Sequence, residues 1–191
     1  MKRISVLCLS GIVAAAAVCA SYAVAGVAHS PMPLAEQADN AMQAVAHVHG
    51  AGANKAKITG TVTFMQTSDG MKVVADIEGL SPGKHGFHIH EKPDLSAPDL
   101  SSAGGHFNPH KHKHGGPHSA SHHAGDLGNL TADAKGHAHL DATFKGLSIE
   151  GTDGVVGHSV IIHQDDDDLK TDPAGNAGKR IAGGVIKADK Q

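Results

Sequence analysis

The chain has 191 residues, a net charge of −3 with neutral histidines, and 18% charged residues. That length suits one domain with a tail, and the lack of a basic excess or patch argues against nucleic acid as a partner. Seventeen histidines against two cysteines direct attention to imidazole chemistry instead.

Residues 1–25, MKRISVLCLSGIVAAAAVCASYAVA, read as a signal peptide. Lys2 and Arg3 form the charged n-region, an apolar run follows, and Ala23-Val24-Ala25 offers an A-x-A cleavage site. The run is too short and too Ala-rich for a comfortable transmembrane span, and Ala17-Val18 before Cys19 is a poor lipidation sequence. Export to the periplasm or medium, with cleavage near Ala25 and no stable membrane anchor, is therefore expected. Cleavage removes Cys8, Cys19 and the sole tyrosine, Tyr22, and takes the net charge from −3 to −5. No disulfide remains available, although the compartment would permit one.

Residues 26–42 read as a flexible leader, and 43–191 as the folded domain. QAVAHVHG is the first expected strand, with His47 and His49 on one face; ITGTVTFMQ (58–66) and MKVVADIEGL (71–80) make a hairpin around Ser-Asp-Gly. A Pro-Gly turn leads into HGFHIH, where Phe87 and Ile89 point one way and His88 and His90 the other. DLGNLTAD (126–133) and HAHLDATFKG (137–146) form a second expected hairpin, followed by VVGHSVIIH (155–163) and RIAGGVIKA (180–188). No window beyond the signal has convincing helical periodicity. Eight short strands with Gly-rich turns predict an all-β, eight-stranded antiparallel sandwich or flattened barrel. Two long loops, roughly 91–125 and 164–179, interrupt it, and long loops in compact domains are usually functional.

The loops follow histidine-bearing strands. His88, His90, His106, His114, His123, Asp126 and His163 are the candidate metal ligands. With no thiolate the donors are imidazole and carboxylate, which suit Cu²⁺ and Zn²⁺: an all-His site with room for a small ligand fits copper, a tetrahedral His and Asp site fits zinc.

HGFHIHE (85–91), SAGGHFNP (102–109), HGGP (114–117), HAGDLGN (123–129), IIH (161–163) and GNAGKRIAGGVI (175–186) together resemble the copper,zinc superoxide dismutase family over most of 43–188. The resemblance implies a Greek-key β-barrel, one copper and one zinc per subunit, and dismutation of superoxide to oxygen and hydrogen peroxide. It implies that His88, His90 and His163 bind copper, that His106 bridges both metals, and that His114, His123 and Asp126 complete the zinc site. Arg180 then resembles the arginine that guides and orients the small anion. Asp167 resembles the aspartate that links a copper-side histidine to a zinc-side histidine, and His85 a histidine that braces a loop. The family's intrachain disulfide is missing, since its positions read Leu100 and Gly183; packing of Leu95, Leu100 or Phe107 and metal ligation must hold the loop. The short stretch after Leu169 puts the family's charged steering residues in question. A homodimer is among the assemblies open to the chain, although contacts that depend on a tethered loop are also in question.

His110, His112, His118 and His122 in the long loop, and His47 and His49 on the first strand, are read as solvated side chains, with weak metal capture as the alternative for the loop set. His137, His139 and His158 are read as strand surface. The competing functional reading is a non-catalytic copper- and zinc-buffering protein on the same fold. A buffer, however, needs neither a bridging histidine nor an anion guide.

Overall fold

The computed structural model describes residues 42–55 and 57–189. The expected signal peptide, its cleavage site and all but the last residue of the leader lie outside the described residues. Eight strands follow in order: β1 (Gln43–Gly50), β2 (Thr59–Thr67), β3 (Gly70–Glu78), β4 (Gly83–His90), β5 (Asp126–Ala132), β6 (Ala138–Phe144), β7 (Ser159–His163) and β8 (Arg180–Ala188). All neighbours pair antiparallel, in the closed order β1-β2-β3-β6-β5-β4-β7-β8. Between β4 and β5, and between β7 and β8, the chain makes the two long loops, with one 3₁₀ turn at Ser101–Ala103. Among the described residues no helix is long and apolar enough to cross a membrane.

Period-two patterning builds the wall. Ala44, Ala46 and Val48 of β1, and Met71, Val73, Ala75 and Ile77 of β3, face the interior and are fully buried, while their neighbours look outward. β4 differs in a way that matters for the site. Phe87 and Ile89 enter the core, as the alternation predicts, but His88 and His90 on the outer face are buried too, under the loops. A core of Val, Ile, Leu and Phe side chains worth about 1.5–3 kcal/mol each thus underlies a polar layer on the outside of β4 and β7.

Two strand readings need correction. β7 starts at Ser159, not Val155. Val155 is buried in the core ahead of it, Gly157 turns with φ 85°, and His158 lies in that turn rather than on a strand surface. The second is one of extent: β5 and β6 do make the expected hairpin around Ala134-Lys135-Gly136, closed by Asp133 N–H on His137 O at 2.9 Å, but their ladder pairs only Ala132↔Ala138, whereas β6 pairs with β3 from Met71↔Phe144 to Ile77↔Ala138. The β5–β6 seam is therefore the thin side of a flattened barrel.

Where the family places a disulfide, the chain packs hydrocarbon. Leu100, Ala103 and Ile161 form a small buried cluster outside the barrel, covered by Ala51 and Leu95. A Cβ on Gly183 would stand 2.8 Å from Ile161 Cδ1 and 3.4 Å from Leu100 Cδ1, so the leucine fills the space beside a residue that must stay small. Phe107 instead joins the main core. Leu100→Ala is expected to cost about 2–4 kcal/mol and to expose residues 91–105 to proteolysis before the barrel melts. Urea unfolding followed by limited proteolysis checks this, and an unchanged cleavage rate would show that the loop is held elsewhere.

Candidate metal centre

β4 and β7 lie side by side, with His88↔Ile161 and His90↔Ser159 in register, and this brings three imidazoles to one outer face. His88 and His90 come from β4 and His163 from the end of β7. His106, on the first long loop, is fixed against β4 by a bridge to His90 and by Phe107 N–H donating to Ile89 O at 2.8 Å. The four side chains place one nitrogen each within 4.8 Å of the others, and all four are buried.

Each of these rings is oriented from behind. His88 Nε2 donates to Asp167 Oδ2 at 2.8 Å, His90 Nδ1 to Gly104 O at 3.0 Å, and His163 Nδ1 to Gly178 O at 3.2 Å. The tautomers so fixed leave the lone pairs of His88 Nδ1, His90 Nε2 and His163 Nε2 facing the centre. His106 turns Nε2 the same way, and its Nδ1 lies 2.8 Å from Asp126 Oδ1. His88 Nδ1 and His106 Nε2 are buried without any hydrogen-bond partner. Buried nitrogens are seldom left bare, so these two fit a metal ligand's role.

The second group lies on the other side of His106. Asp126 Oδ1 is 2.8 Å from His106 Nδ1, 3.1 Å from His114 Nδ1 and 3.2 Å from His123 Nδ1. A tetrahedral ion with bonds of about 2.0–2.2 Å holds its donors roughly 3.3–3.6 Å apart, so the group would open by a few tenths of an ångström to take one. Asp126 Oδ2 is held by the N–H groups of Gly115 (3.1 Å) and His123 (2.9 Å), which aims Oδ1 at the three rings. His106 belongs to both groups, one nitrogen to each.

Asp167 joins them. Its Oδ2 takes His88 Nε2 and its Oδ1 takes His114 Nε2 at 2.9 Å. Of the run Asp165–Asp168 it alone is buried. Asn129 holds its backbone on both sides, accepting from Asp167 N at 2.8 Å and donating to Asp167 O at 2.9 Å.

The electrostatics separate the two groups. Burial pushes His90 and His163 below the ordinary histidine range, His163 to about 3, with the neighbouring histidines and Arg180 adding to the effect. Burial also lowers His106, to about 4, against its bond to Asp126. These imidazoles are neutral near pH 7 and open to a metal. His114 goes the other way: burial opposes its charge, but Asp126 and Asp167 on its two nitrogens raise it to about 10. A neutral ring has one N–H and could satisfy only one of those carboxylates. Zinc binding at Nδ1 must therefore displace a proton from His114 anywhere below about pH 10. Titrating zinc into metal-free protein at pH 7.5, in buffers of different ionisation enthalpy, is expected to report about one proton released through this ring. Affinity should rise with pH over the same range, and buffer-independent heats would contradict it.

Arg180 opens β8 beside His163, donating Nη1 to Leu100 O and Nη2 to Gly104 O, both at 2.6 Å. Gly104 O is also the acceptor of His90, so one carbonyl ties the arginine to a ring of the all-imidazole group. Arg180 further lines a surface cavity of about 580 Å³ with Asp99, Ser101, Gln164 and Lys179.

A family model for copper/zinc superoxide dismutase matches residues 58–186. The chain belongs to the copper/zinc superoxide dismutase family. It is 43% identical over 154 residues to the extracellular superoxide dismutase [Cu-Zn] of Drosophila melanogaster, covering 76% of this chain and 84% of that one. Against the extracellular superoxide dismutase [Cu-Zn] of Caenorhabditis elegans the identity is 40% over 159 residues, 79% of this chain and 72% of the relative. Against the superoxide dismutase [Cu-Zn] of Deinococcus radiodurans it is 41% over 143 residues, 69% and 79% of the two chains. The solved structure of the clock protein EA4 superposes with a TM-score of 0.70 at 40% identity, covering 76% of this chain and 93% of that one.

Eight further histidines among the described residues have other places. His85 donates from Nδ1 to His163 O at 2.8 Å and receives Ser81 Oγ at Nε2, bracing the end of β7. His158 donates to Glu91 O at 2.8 Å and packs on Phe107, clamping the first long loop. His47 and His49 are exposed on the outer face of β1. His110 pairs with Asp153, and His112 and His122 bond backbone carbonyls within the loop. His118 is exposed.

Three residues to which the sequence assigns no role hold His114 and Asp167 in place. Asp172 Oδ1 accepts from His114 N at 2.6 Å, Asn129 anchors Asp167, and Gly175, at φ 61°, leaves room for Asp167 and the His114 ring, both of which a Cβ would strike. Gly175 and Asn129 were visible inside quoted motifs; Asp172 carried no signal.

Proposed function

We propose that the chain dismutates superoxide, with copper held by His88, His90, His106 and His163, zinc held by His106, His114, His123 and Asp126, and Arg180 as the anion guide. The observation carrying this reading is His106, which offers one nitrogen to an all-imidazole group and the other to a His and Asp group. When bound, copper supplies a one-electron couple through which one superoxide is oxidised to oxygen and a second is reduced to peroxide; zinc supplies fixed charge beside it.

The chain's residues do the rest. Arg180 sets a permanent positive charge near His90 and His163, and both of its Nη donors are fixed on loop carbonyls. Because the protein is net negative, attraction of the anion is local to this arginine. Peroxide needs two protons. His106 Nε2, a buried lone pair with no protein partner, is the nitrogen placed to take up one proton and pass it on, and water would supply the other. His88 and His163 keep their geometry throughout, since their outward nitrogens stay on Asp167 and Gly178. Four relatives carry "extracellular" in their names, which supports secretion of this chain; cleavage near Ala25, at the A-x-A sequence, and a periplasmic destination are proposed with it.

Reconstitution with copper and zinc followed by pulse radiolysis tests the proposal. The expected result is dismutation far above that of free copper. Tight stoichiometric metal binding with no such rate would assign the protein to metal buffering. In the same assay Arg180→Ala should slow dismutation about 10–100-fold with copper retained, and flatten its dependence on ionic strength. Arg180→Lys should fall between, keeping the charge but losing the two-point hold. An Arg180→Ala rate equal to wild type would remove the guide role.

A further inference from the structure

A second His-x-His segment lies away from this centre. His137 and His139 flank Ala138, which enters the core, so both imidazoles stand on the outer face of β6. β3 runs alongside, with Ile77↔Ala138 and Asp76↔His139 in register. His137, one step ahead, comes level with Glu78. Two strands thus present four donors as a rectangle, one imidazole and one carboxylate on each rung.

The side chains are neighbours but do not yet close on one point, since no three of their donor atoms lie mutually within 4.8 Å. Asp76 Oδ1 lies 2.7 Å from His139 Nδ1 and 3.7 Å from His137 Nε2, and Glu78 Oε1 lies 3.9 Å from His137 Nε2. One carboxylate oxygen therefore stands between two imidazoles, with a second carboxylate behind. A tetrahedral ion with bonds near 2.1 Å holds its donors about 3.4 Å apart. Two of the separations exceed that by a few tenths of an ångström. The third is a hydrogen bond whose proton a cation would replace on the same lone pair. All four side chains are between 42% and 65% exposed, so they have the freedom to close and an open path for an ion. The backbone beneath them is fixed by the β3–β6 ladder, and His137 N donates to Asp133 Oδ1 at 3.0 Å.

We propose that Asp76, Glu78, His137 and His139 form a further metal site, on the β3–β6 wall, for a divalent cation of the zinc and copper class. Two imidazoles and two carboxylates without thiolate are the donor set of such ions, and neither calcium nor magnesium takes imidazole by preference. The site is separate from the catalytic pair: its strands carry none of the ligands named above. A bound ion would cross-link β3 to β6 next to the thin β5–β6 seam.

The test uses full-length protein already loaded with copper and zinc. Zinc is titrated into it calorimetrically, in wild type, His139→Ala and Asp76→Asn. The expected result is one binding event present in wild type, lost in His139→Ala and weakened in Asp76→Asn, with copper and zinc content and dismutation unchanged. The same event should raise the melting temperature of wild type and not of His139→Ala. If the three proteins give the same isotherm, with or without binding, the proposal is wrong. A loss produced only by His112→Ala or His47→Ala would overturn it equally, by placing the ion elsewhere.

Discussion

Chelating both metals is expected to lower the melting temperature by roughly 20 °C or more, a far larger effect than in a barrel whose loop is covalently tethered. The seven proposed ligand side chains are buried together on the outer faces of β4, β5 and β7 and in the loop between β4 and β5. His88 Nδ1 and His106 Nε2 have no protein partner, and a bare buried nitrogen costs about 1–3 kcal/mol. Three of the seven, His106, His114 and His123, are loop residues, so ligation is also what fixes residues 91–125 in place. The family's disulfide would have contributed about 2–5 kcal/mol to that task. Here the small Leu100 cluster takes its place. Structural zinc is worth on the order of 10 kcal/mol, and each kcal/mol moves a domain of this size by about 2–4 °C. Calorimetry with and without chelator measures the difference directly. A shift below about 5 °C would mean that packing alone holds the loops.

Asp167→Ala should be the most damaging substitution outside the ligands themselves. It leaves His88 Nε2 and His114 Nε2 buried with no acceptor, and frees both rings to adopt the other tautomer. Breaking such a buried charged pair costs about 3–5 kcal/mol, and loss of a partner that orients metal ligands typically costs 10–100-fold in affinity. Competition with a chromophoric chelator reads the zinc affinity, and the visible spectrum of bound copper reads the His88 side. Zinc affinity within about twofold of wild type would show that Asp167 is dispensable. The pH dependence has a definite sign. Burial alone would raise Asp167, but hydrogen bonds from His114 and His88 outweigh it and hold the carboxyl well below the usual range. Its contribution is therefore complete above the unfolded value of about 3.9 and is lost as pH falls further. Wild type and variant should converge in acid.

The fold and the gathering of the donor side chains into two groups were legible for different reasons. Strands with one face in a core leave a period of two, and β1 to β4 carried it plainly. The donor set was legible because seven donors at fixed separations amount to a pattern even when three of them, His106, His114 and His123, lie in irregular chain. What stayed hidden depends on long-range contact alone. Asp172 reaches the backbone of His114 from 58 residues away, and nothing in the residues around it marks that role. His158 looked like strand surface because Val155 and Val156 are β-branched, yet a glycine with positive φ breaks the strand and turns the histidine onto Glu91. The β6 pairing with β3 was obscured by the short turn to β5, since local chain reversal suggests a hairpin whatever the barrel closure requires.

The apolar contact of Leu100 beside Gly183 has a consequence for how the protein matures. After residue 19 the sequence contains no cysteine, so the barrel and its loops contain no thiol to oxidise and no disulfide to reshuffle or reduce. Assembly of the active form is then set by metal supply alone, without an oxidase or isomerase. The finished protein should be indifferent to glutathione and other thiols that would untie a disulfide-tethered relative.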